Sequence, residues 1–363
     1  MEIAKGSPIE VIRTTLREES RRERKCNRSD VLNRNRSALG QVSESISYYD
    51  LKEVVEIASK LKQKNQVSLM ELKKLKQSFI VSQENIVAFL NVPGALHGLV
   101  RELSGHNSEF QFAALNCCCN LSLANEKLCH QLTKSSASYI ASTLNELNTT
   151  YLDVCLWTLG NMAGSGMKSW TILKSHGVLN KYLHFIASPN SDVKQSAIYA
   201  TTLYVKMGFD NLSSNEFRMI ADHVYSELGR DSSVFWLIYL LSCSQAANEV
   251  FLLNMVTSCT FDLLVNLVNT NKAPKPSDVT ALVRILANLC GEKSKQAISE
   301  IMLLLDIQSV DFLTAINGLL ASPHEHLQRE TLWFLGNLVK CCPEAGGFIL
   351  SVGDRLKEAL SKI

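Results

Sequence analysis

Two pairs of side chains, Trp157 with Asn161 and Trp333 with Asn337, stand four residues apart in the segments CLWTLGNMA and LWFLGNLV. At that spacing an indole and an amide lie one turn apart on the same face of a helix. An amide carries both a hydrogen-bond donor and an acceptor, and the face of an indole attracts cations. Because a buried helix does not need both groups on one face, their recurrence predicts a repeated surface.

The first pair lies in a segment, Tyr151–Gly166, that has the pattern of an amphipathic helix. Apolar residues recur in it at helical spacing: Leu152, Cys155, Leu156, Leu159, Met162 and Ala163. Gly164 and Gly166 follow and predict the end of the helix.

This long helix is one part of a repeat. The amide position recurs at Asn120 and Asn288, Tyr204 occupies roughly the same slot, and so does Leu240 or Leu241. The intervals run from about 37 to about 49 residues, close to the roughly 40–47 residues of HEAT and armadillo units. A shorter helix and a turn precede the long helix at residues 93–110, 177–193 and 312–327. The sequence therefore predicts an all-α fold, an armadillo-type alpha-solenoid whose neighbouring repeats must stack to bury their apolar faces.

The predicted solenoid, a right-handed superhelix of about six to seven helical repeats, covers residues 46–363. We place repeats at about 92–123, 125–166, 169–208, 212–244, 246–291 and 293–341, with the fourth the least regular and a partial seventh after them. Residues 46–91 are predicted to form an irregular first repeat of two helices that caps the stack. The sequence NTNKAPKPSD, Asn269–Asp278, is predicted to form the long loop of the fifth repeat.

Residues 1–45 form a separate, basic arm. Residues 1–40 hold ten Lys or Arg against six Asp or Glu, whereas the whole chain of 363 residues carries a net charge of only +2. The arm lacks a continuous apolar face, so it is predicted to be largely disordered when alone. The overall charge gives no argument for nucleic-acid binding.

The eleven cysteines point to free thiols, because most of them fall within apolar helical stripes. No CxxC and no paired Cys/His spacing of a zinc site occurs, and Cys129 and His130 are adjacent and point about 100° apart on a helix. No nucleophile elbow or Gly-rich phosphate loop is found. We expect no cofactor, no metal and no catalysis.

The polar first residues and the absence of a long apolar run predict a reduced, soluble intracellular protein without a membrane span.

Trp-x-x-x-Asn on the third helix of such repeats, behind an Arg-rich N-terminal segment, resembles importin alpha, the nuclear-import adaptor. The resemblance implies that third helices line a concave groove, that the amide holds the backbone of an extended peptide, and that the indole covers a basic side chain whose charge nearby carboxylates neutralise. The implied peptide-binding residues are Trp157, Asn161, Trp333, Asn337, Asn120 and Asn288, with Asp153 and Glu330 as the carboxylates. Asn116 and Arg284 stand where the other tryptophans would be.

The resemblance also implies partners. Basic cargo peptides or proteins would lie in the groove, and an importin beta-type carrier would bind the arm through a set of basic residues: Arg21, Arg22, Arg24, Lys25, Arg28, Arg34 and Arg36. Such an adaptor works in the cytoplasm and the nucleus.

Other interpretations remain open. Asn-Leu ends third helices in armadillo proteins that bind no import signal, Trp157 and Trp333 can instead pack between repeats, and Trp236, which lacks its Asn, is interpreted as a core residue. The arm can be merely a solvated segment or one that meets anionic surfaces. The main alternative function is a protein–protein interaction scaffold without import-signal binding. A membrane-associated protein, the third possibility, rests only on the name of a divergent member of that family.

Overall fold

The computed structural model describes residues 46–63, 67–145, 148–270, 274–291 and 295–341. Within these ranges all regular structure is helical and no strand is present. The basic arm, the predicted seventh repeat and four short connections lie outside the described residues. The predicted all-α fold is confirmed.

The chain divides into two compact units between Lys181 and Tyr182. In its described part, the first unit contains eight complete helices, which are α1 (Leu51–Lys62), α2 (Leu69–Val81), α3 (Gln83–Asn91), α4 (Ala95–Leu103), α5 (Ser108–Leu121), α6 (Glu126–Thr143), α7 (Thr149–Ser165) and α8 (Met167–Ser175). The division falls within α9 (Val178–Ile186).

In its described part, the second unit contains eight further α-helices. They are α10 (Ser191–Gly208), α11 (Ser214–Val224), α12 (Phe235–Leu241), α13 (Gln245–Leu253), α14 (Val256–Thr270), α15 (Pro276–Gly291), α16 (Lys295–Leu320) and α17 (Glu325–Cys341). Three short 3-10 helices lie around α11 and α12, at Phe209–Asn211, Tyr225–Glu227 and Ser232–Val234. This interrupted stretch corresponds to the fourth repeat, which the sequence predicts to be the least regular.

Helices of the same rank in successive repeats stack on one another. In the first unit the long third helices are α2, α5 and α7, and each contacts the next along the chain. The helices that precede α2 and α5 in their repeats, α1 and α4, also pack together. In the second unit the third helices form the row α10, α12, α15 and α17. Each row thus places one face of every third helix beside the same face of the next, which is the arrangement of an armadillo-type alpha-solenoid.

The starts of the third helices follow from local sequence. The backbone N–H groups of Glu109 and Phe110 donate to the Asn107 side-chain oxygen, and Asn148 and Asn190 cap α7 and α10 in the same way. Capping by Asn satisfies N–H groups that have no partner within the helix. The Tyr151–Gly166 helix is confirmed, although α7 passes through Gly164 and stops only before Gly166.

Two boundaries differ from the prediction. The segment 68–91, predicted as one helix, is two, because Ser82 adopts an extended backbone and accepts a hydrogen bond from Glu84 N at 3.1 Å to start α3. The predicted loop Asn269–Asp278 is shorter, because α14 continues to Thr270 and α15 begins at Pro276. Proline is favoured at the first helical position, where its missing N–H has no partner to lose.

The core of each unit is apolar and tightly packed. Phe79 and Phe89 meet edge to face at 5.3 Å between ring centroids in the first unit. In the second unit Phe261 and Phe312 stack at 4.8 Å, and Phe334 meets Phe312 at 6.3 Å. All five rings are fully buried or nearly so. These contacts fix the spacing of the helices and hence the position of the third-helix faces.

Candidate functional site

Three asparagines of the third helices bond to the preceding third helix or to the residue that caps its C-terminus. Asn120 Nδ2 donates to the Lys76 carbonyl at 3.3 Å, and Asn337 Nδ2 donates to the Ala287 carbonyl at 2.8 Å. Asn288 Nδ2 donates to Ser242 Oγ at 2.8 Å. The bonds join residues 44 to 50 positions apart, so each one ties a repeat to its neighbour.

Burial also separates these amides from a peptide ligand. Asn120 and Asn161 are fully buried, whereas Asn288 and Asn337 are half-buried. The expectation that Asn120 and Asn161 stand exposed on a groove is wrong, because the packed helices cover both side chains. A peptide backbone could reach them only if the helices moved apart.

The two predicted tryptophans are less buried than the amides of Asn120 and Asn161. Trp157 on α7 and Trp333 on α17 are half-buried. Asp153 precedes Trp157 by one helical turn and is also half-buried. The first unit therefore presents a partly exposed indole with a carboxylate on the same helical face.

Trp236 on α12 is half-buried as well, so its interpretation as a core residue is wrong. Its ring meets Tyr239 edge to face at 5.5 Å. The guanidinium carbon of Arg284 on α15 lies 5.7 Å from the Trp236 ring centroid and 5.3 Å from that of Tyr239. These distances are those of cation–π contacts.

The Arg284 guanidinium also forms an ion pair with Glu330 on α17. Its Nη2 lies 2.5 Å from Glu330 Oε1, with the two side chains 27% and 20% exposed. Burial lowers the pKa of Arg284, but the hydrogen bond and charge of Glu330, with a further contribution from Tyr239, outweigh it and raise the pKa overall. Three successive third helices thus supply two rings, a cation and a carboxylate, and the predicted carboxylate Glu330 is neutralised by this chain's own arginine.

A cleft of about 390 Å³ opens between α2 and α5 in the first unit. Its lining combines an apolar wall with two lysines, one glutamate and two amides: Ile46, Leu69, Lys73, Lys76, Gln77, Glu109, Phe112, Ala113 and Asn116. Asn116, at the slot where a tryptophan would stand, donates its amide to the Phe112 carbonyl at 2.8 Å. The two lysines make this end of the third-helix row a poor place for a basic side chain.

The predicted carrier-binding residues lie outside the described residues. They are Arg21, Arg22, Arg24, Lys25, Arg28, Arg34 and Arg36.

In the described ranges, no group of three or more His, Cys, Asp or Glu side chains is placed to hold a metal ion. No single helix there is long and apolar enough to cross a membrane; two bent pairs, α3 with α4 and α13 with α14, reach that length and composition only together.

No family model matches the chain. Among solved structures, a crystal structure of an engineered protein has a TM-score of 0.63 at 17% identity, covering 78% of this chain and 68% of that chain. The designed armadillo repeat protein YIII(Dq)4CqI has a TM-score of 0.44 at 16% identity, covering 78% of this chain and 99% of its own. Another, YIII(Dq.V1)4CPAF in complex with the peptide (KR)4, has a TM-score of 0.40 at 16% identity, covering 80% and 100%. At such identities likeness shows the fold alone.

Proposed function

We propose that the chain is an armadillo-type interaction scaffold that binds an extended segment of a partner protein on its third-helix faces, and that it is not an enzyme. One observation carries the proposal. The third helices keep large aromatic side chains partly exposed, Trp157 in one unit and Trp236, Tyr239 and Trp333 in the other, although the core is otherwise well packed. Partly exposed aromatic side chains are enriched at the centres of protein interfaces.

A nuclear-import adaptor is the specific form of this proposal. Trp157 with Asp153 could hold one basic side chain of a cargo peptide, through the ring face and the carboxylate. The arm, through Arg21 to Arg36, would then bind an importin beta-type carrier, and the protein would act in the cytoplasm and the nucleus.

The hydrogen bonds of the asparagines favour the alternative, a scaffold without import-signal binding. Holding a peptide backbone requires free amides, whereas Asn120, Asn288 and Asn337 use theirs between repeats. A partner recognised mainly through its apolar and aromatic side chains would not need those amides.

The test is a titration of a fluorescently labelled lysine-rich signal peptide against four proteins: wild type, Trp157→Ala, Trp333→Ala and Tyr139→Ala. Tyr139 is a matched control because it is 47% exposed and lies on α6, which is not a third helix. An import adaptor loses at least about tenfold in affinity with Trp157→Ala, roughly 1.4 kcal/mol, and nothing with Tyr139→Ala. Equal affinity throughout, or no binding, removes the import adaptor.

The scaffold is tested with the same variants as bait. Quantitative mass spectrometry compares the partners that each bait recovers from cell extract. Partners of the third-helix face are lost with Trp157→Ala or Trp333→Ala and kept with Tyr139→Ala. If all four baits recover the same partners in the same amounts, the proposed binding face is wrong.

A further inference from the structure

Arg284 occupies the place on α15 that a tryptophan occupies on α7 and α17. Its guanidinium lies on the rings of Trp236 and Tyr239 from the preceding third helix and pairs with Glu330 from the following one. A cation held between aromatic rings and a carboxylate is the arrangement that a basic peptide side chain would adopt on such a surface.

We propose that Arg284 is a built-in ligand that fills this aromatic–carboxylate site of the second unit and excludes the basic side chains of partners from it. The inference rests on the proposed function, because it assumes that the third-helix face binds partners. It keeps the basic side chains of partners away from Trp236, Tyr239 and Glu330 and leaves Trp157 with Asp153, in the first unit, as the candidate place for one.

The exclusion follows from competition between equal groups. An incoming arginine or lysine would have to displace Arg284 from Glu330, exchanging one cation for another without a new type of contact. Arg284 is attached to the same fold, so its effective concentration at the site is far above that of a free peptide. The displaced guanidinium, now 27% exposed, would also have to find new hydrogen-bond acceptors.

A second ion pair in the same unit supplies a matched control. Arg218 on α11 donates from Nε at 3.2 Å and from Nη2 at 2.7 Å to Glu249 on α13. The two side chains are 45% and 52% exposed, and neither helix is a third helix. Removing Arg218 therefore frees a carboxylate without opening the site on Trp236 and Tyr239.

The experiment titrates acetyl-Gly-Arg-Gly-amide, and its uncharged citrulline analogue, into wild type, Arg284→Ala, Arg284→Met and Arg218→Ala, followed by tryptophan fluorescence. Arg284→Ala is expected to bind the arginine peptide at least about tenfold more tightly than wild type does, a change of roughly 1.4 kcal/mol. It should not gain affinity for the citrulline peptide, and Arg218→Ala should behave as wild type. Adding Glu330→Gln to Arg284→Ala should abolish the gain.

Circular dichroism establishes which variants fold. Arg284→Met keeps an apolar stem over the rings, so it serves if Arg284→Ala unfolds. A further measurement leaves Arg284 in place: Trp236→Ala should bind (KR)4 with the same affinity as wild type does. Folded Arg284 variants without a gain, or a loss of (KR)4 binding with Trp236→Ala, would overturn the inference. Failure of the proposed function is recognised separately, because it leaves the response to Trp157→Ala flat while the gain in Arg284→Ala persists.

Discussion

Asn337 shows how one side chain can satisfy a binding motif in the sequence and do something else in the fold. Its position four residues after Trp333 places both on one face of α17, as the spacing predicts. The spacing does not tell how closely the preceding third helix approaches that face. In the structure α15 lies near enough for the amide to reach the Ala287 carbonyl. The amide therefore contributes first to the stack of repeats.

Replacing Asn337 with Ala is expected to destabilise the protein by about 1 kcal/mol, the usual net value of one intramolecular hydrogen bond. The bond joins residues 50 positions apart on α15 and α17. Its loss therefore removes a contact between two repeats. The measurement is urea unfolding followed by circular dichroism at 222 nm.

Asn254→Ala is the control for this variant. Its amide donates to the Val250 carbonyl at 2.8 Å within the same helix end. Its replacement is expected to cost about 0.5 kcal/mol, the lower end of the range for one hydrogen bond, because this bond forms within one helix end and joins no two repeats. A larger effect at Asn254 than at Asn337 would contradict the role assigned to the bond between repeats.

The described cysteines differ sharply in accessibility, which gives a second prediction at this scale. Cys243 is exposed, whereas Cys117 and Cys155 are fully buried. Burial raises the pKa of Cys259, and the charge of Asp262 raises it further. Among the described cysteines, iodoacetamide at pH 8, followed by peptide mapping, should therefore label Cys243 first and Cys259 more slowly, since only the thiolate reacts.

Denaturant supplies the control for the labelling. In urea Cys117 and Cys155 should react as fast as Cys243. Labelling of either at a comparable rate in the native protein would show that α5 or α7 is less well packed than the structure has it.

At the scale of the helices, most of the fold was predictable because its signals are local. The apolar stripe of Tyr151–Gly166 defines α7, and Asn at 107, 148 and 190 marks where third helices begin. The pattern does not indicate the break at Ser82, because a serine within an amphipathic pattern is compatible with a helix interior. The repeat spacing places Arg284 in a tryptophan slot, but its contacts with Trp236, Tyr239 and Glu330 depend on the arrangement of three helices that are remote in sequence.

Close packing of α4 on α1 predicts the effect of enlarging Gly98. A Cβ at this position would lie 2.4 Å from the Leu61 carbonyl oxygen, so one helix must shift. We expect Gly98→Ala to destabilise the protein by about 1–3 kcal/mol, as overpacking usually does. Thermal unfolding by calorimetry measures the change.

Gly336 in α17 provides the opposite case. A Cβ there meets nothing within 4 Å, and alanine is favoured over glycine within a helix by about 1 kcal/mol. Gly336→Ala should therefore stabilise the protein. If both substitutions shift the unfolding temperature in the same direction, the packing of these two helices is not as described.

At the scale of the whole molecule, the two units bury different titratable groups. Burial raises the pKa of Cys117 to about 12 in the first unit and raises that of Cys118 as well. In the second unit burial raises the pKa of Tyr182 and Tyr204. Because each group is held neutral in the folded state, the unfolded chain loses these protons at lower pH than the folded chain does.

The consequence is a loss of stability in alkali that occurs in two stages. A raised pKa stabilises the folded state fully below the unfolded value, about 8.5 for a thiol and about 10 for a phenol, and that stability declines as pH rises above it. Each group contributes a slope of about 1.4 kcal/mol per pH unit.

Urea unfolding in the presence of a reductant at pH 7, 9, 10 and 10.5 measures this loss. The free energy of unfolding should change little at first and then decline, with a steeper decline above pH 10. The double variant Cys117→Ala/Cys118→Ala should reduce the slope between pH 9 and 10, to which Cys259 also contributes, and leave the steeper part in place, because thiols titrate at lower pH than phenols do. An unchanged slope in that range would mean that the α5 thiols are not kept neutral by burial, and that the packing of the first three third helices is looser than their contacts indicate.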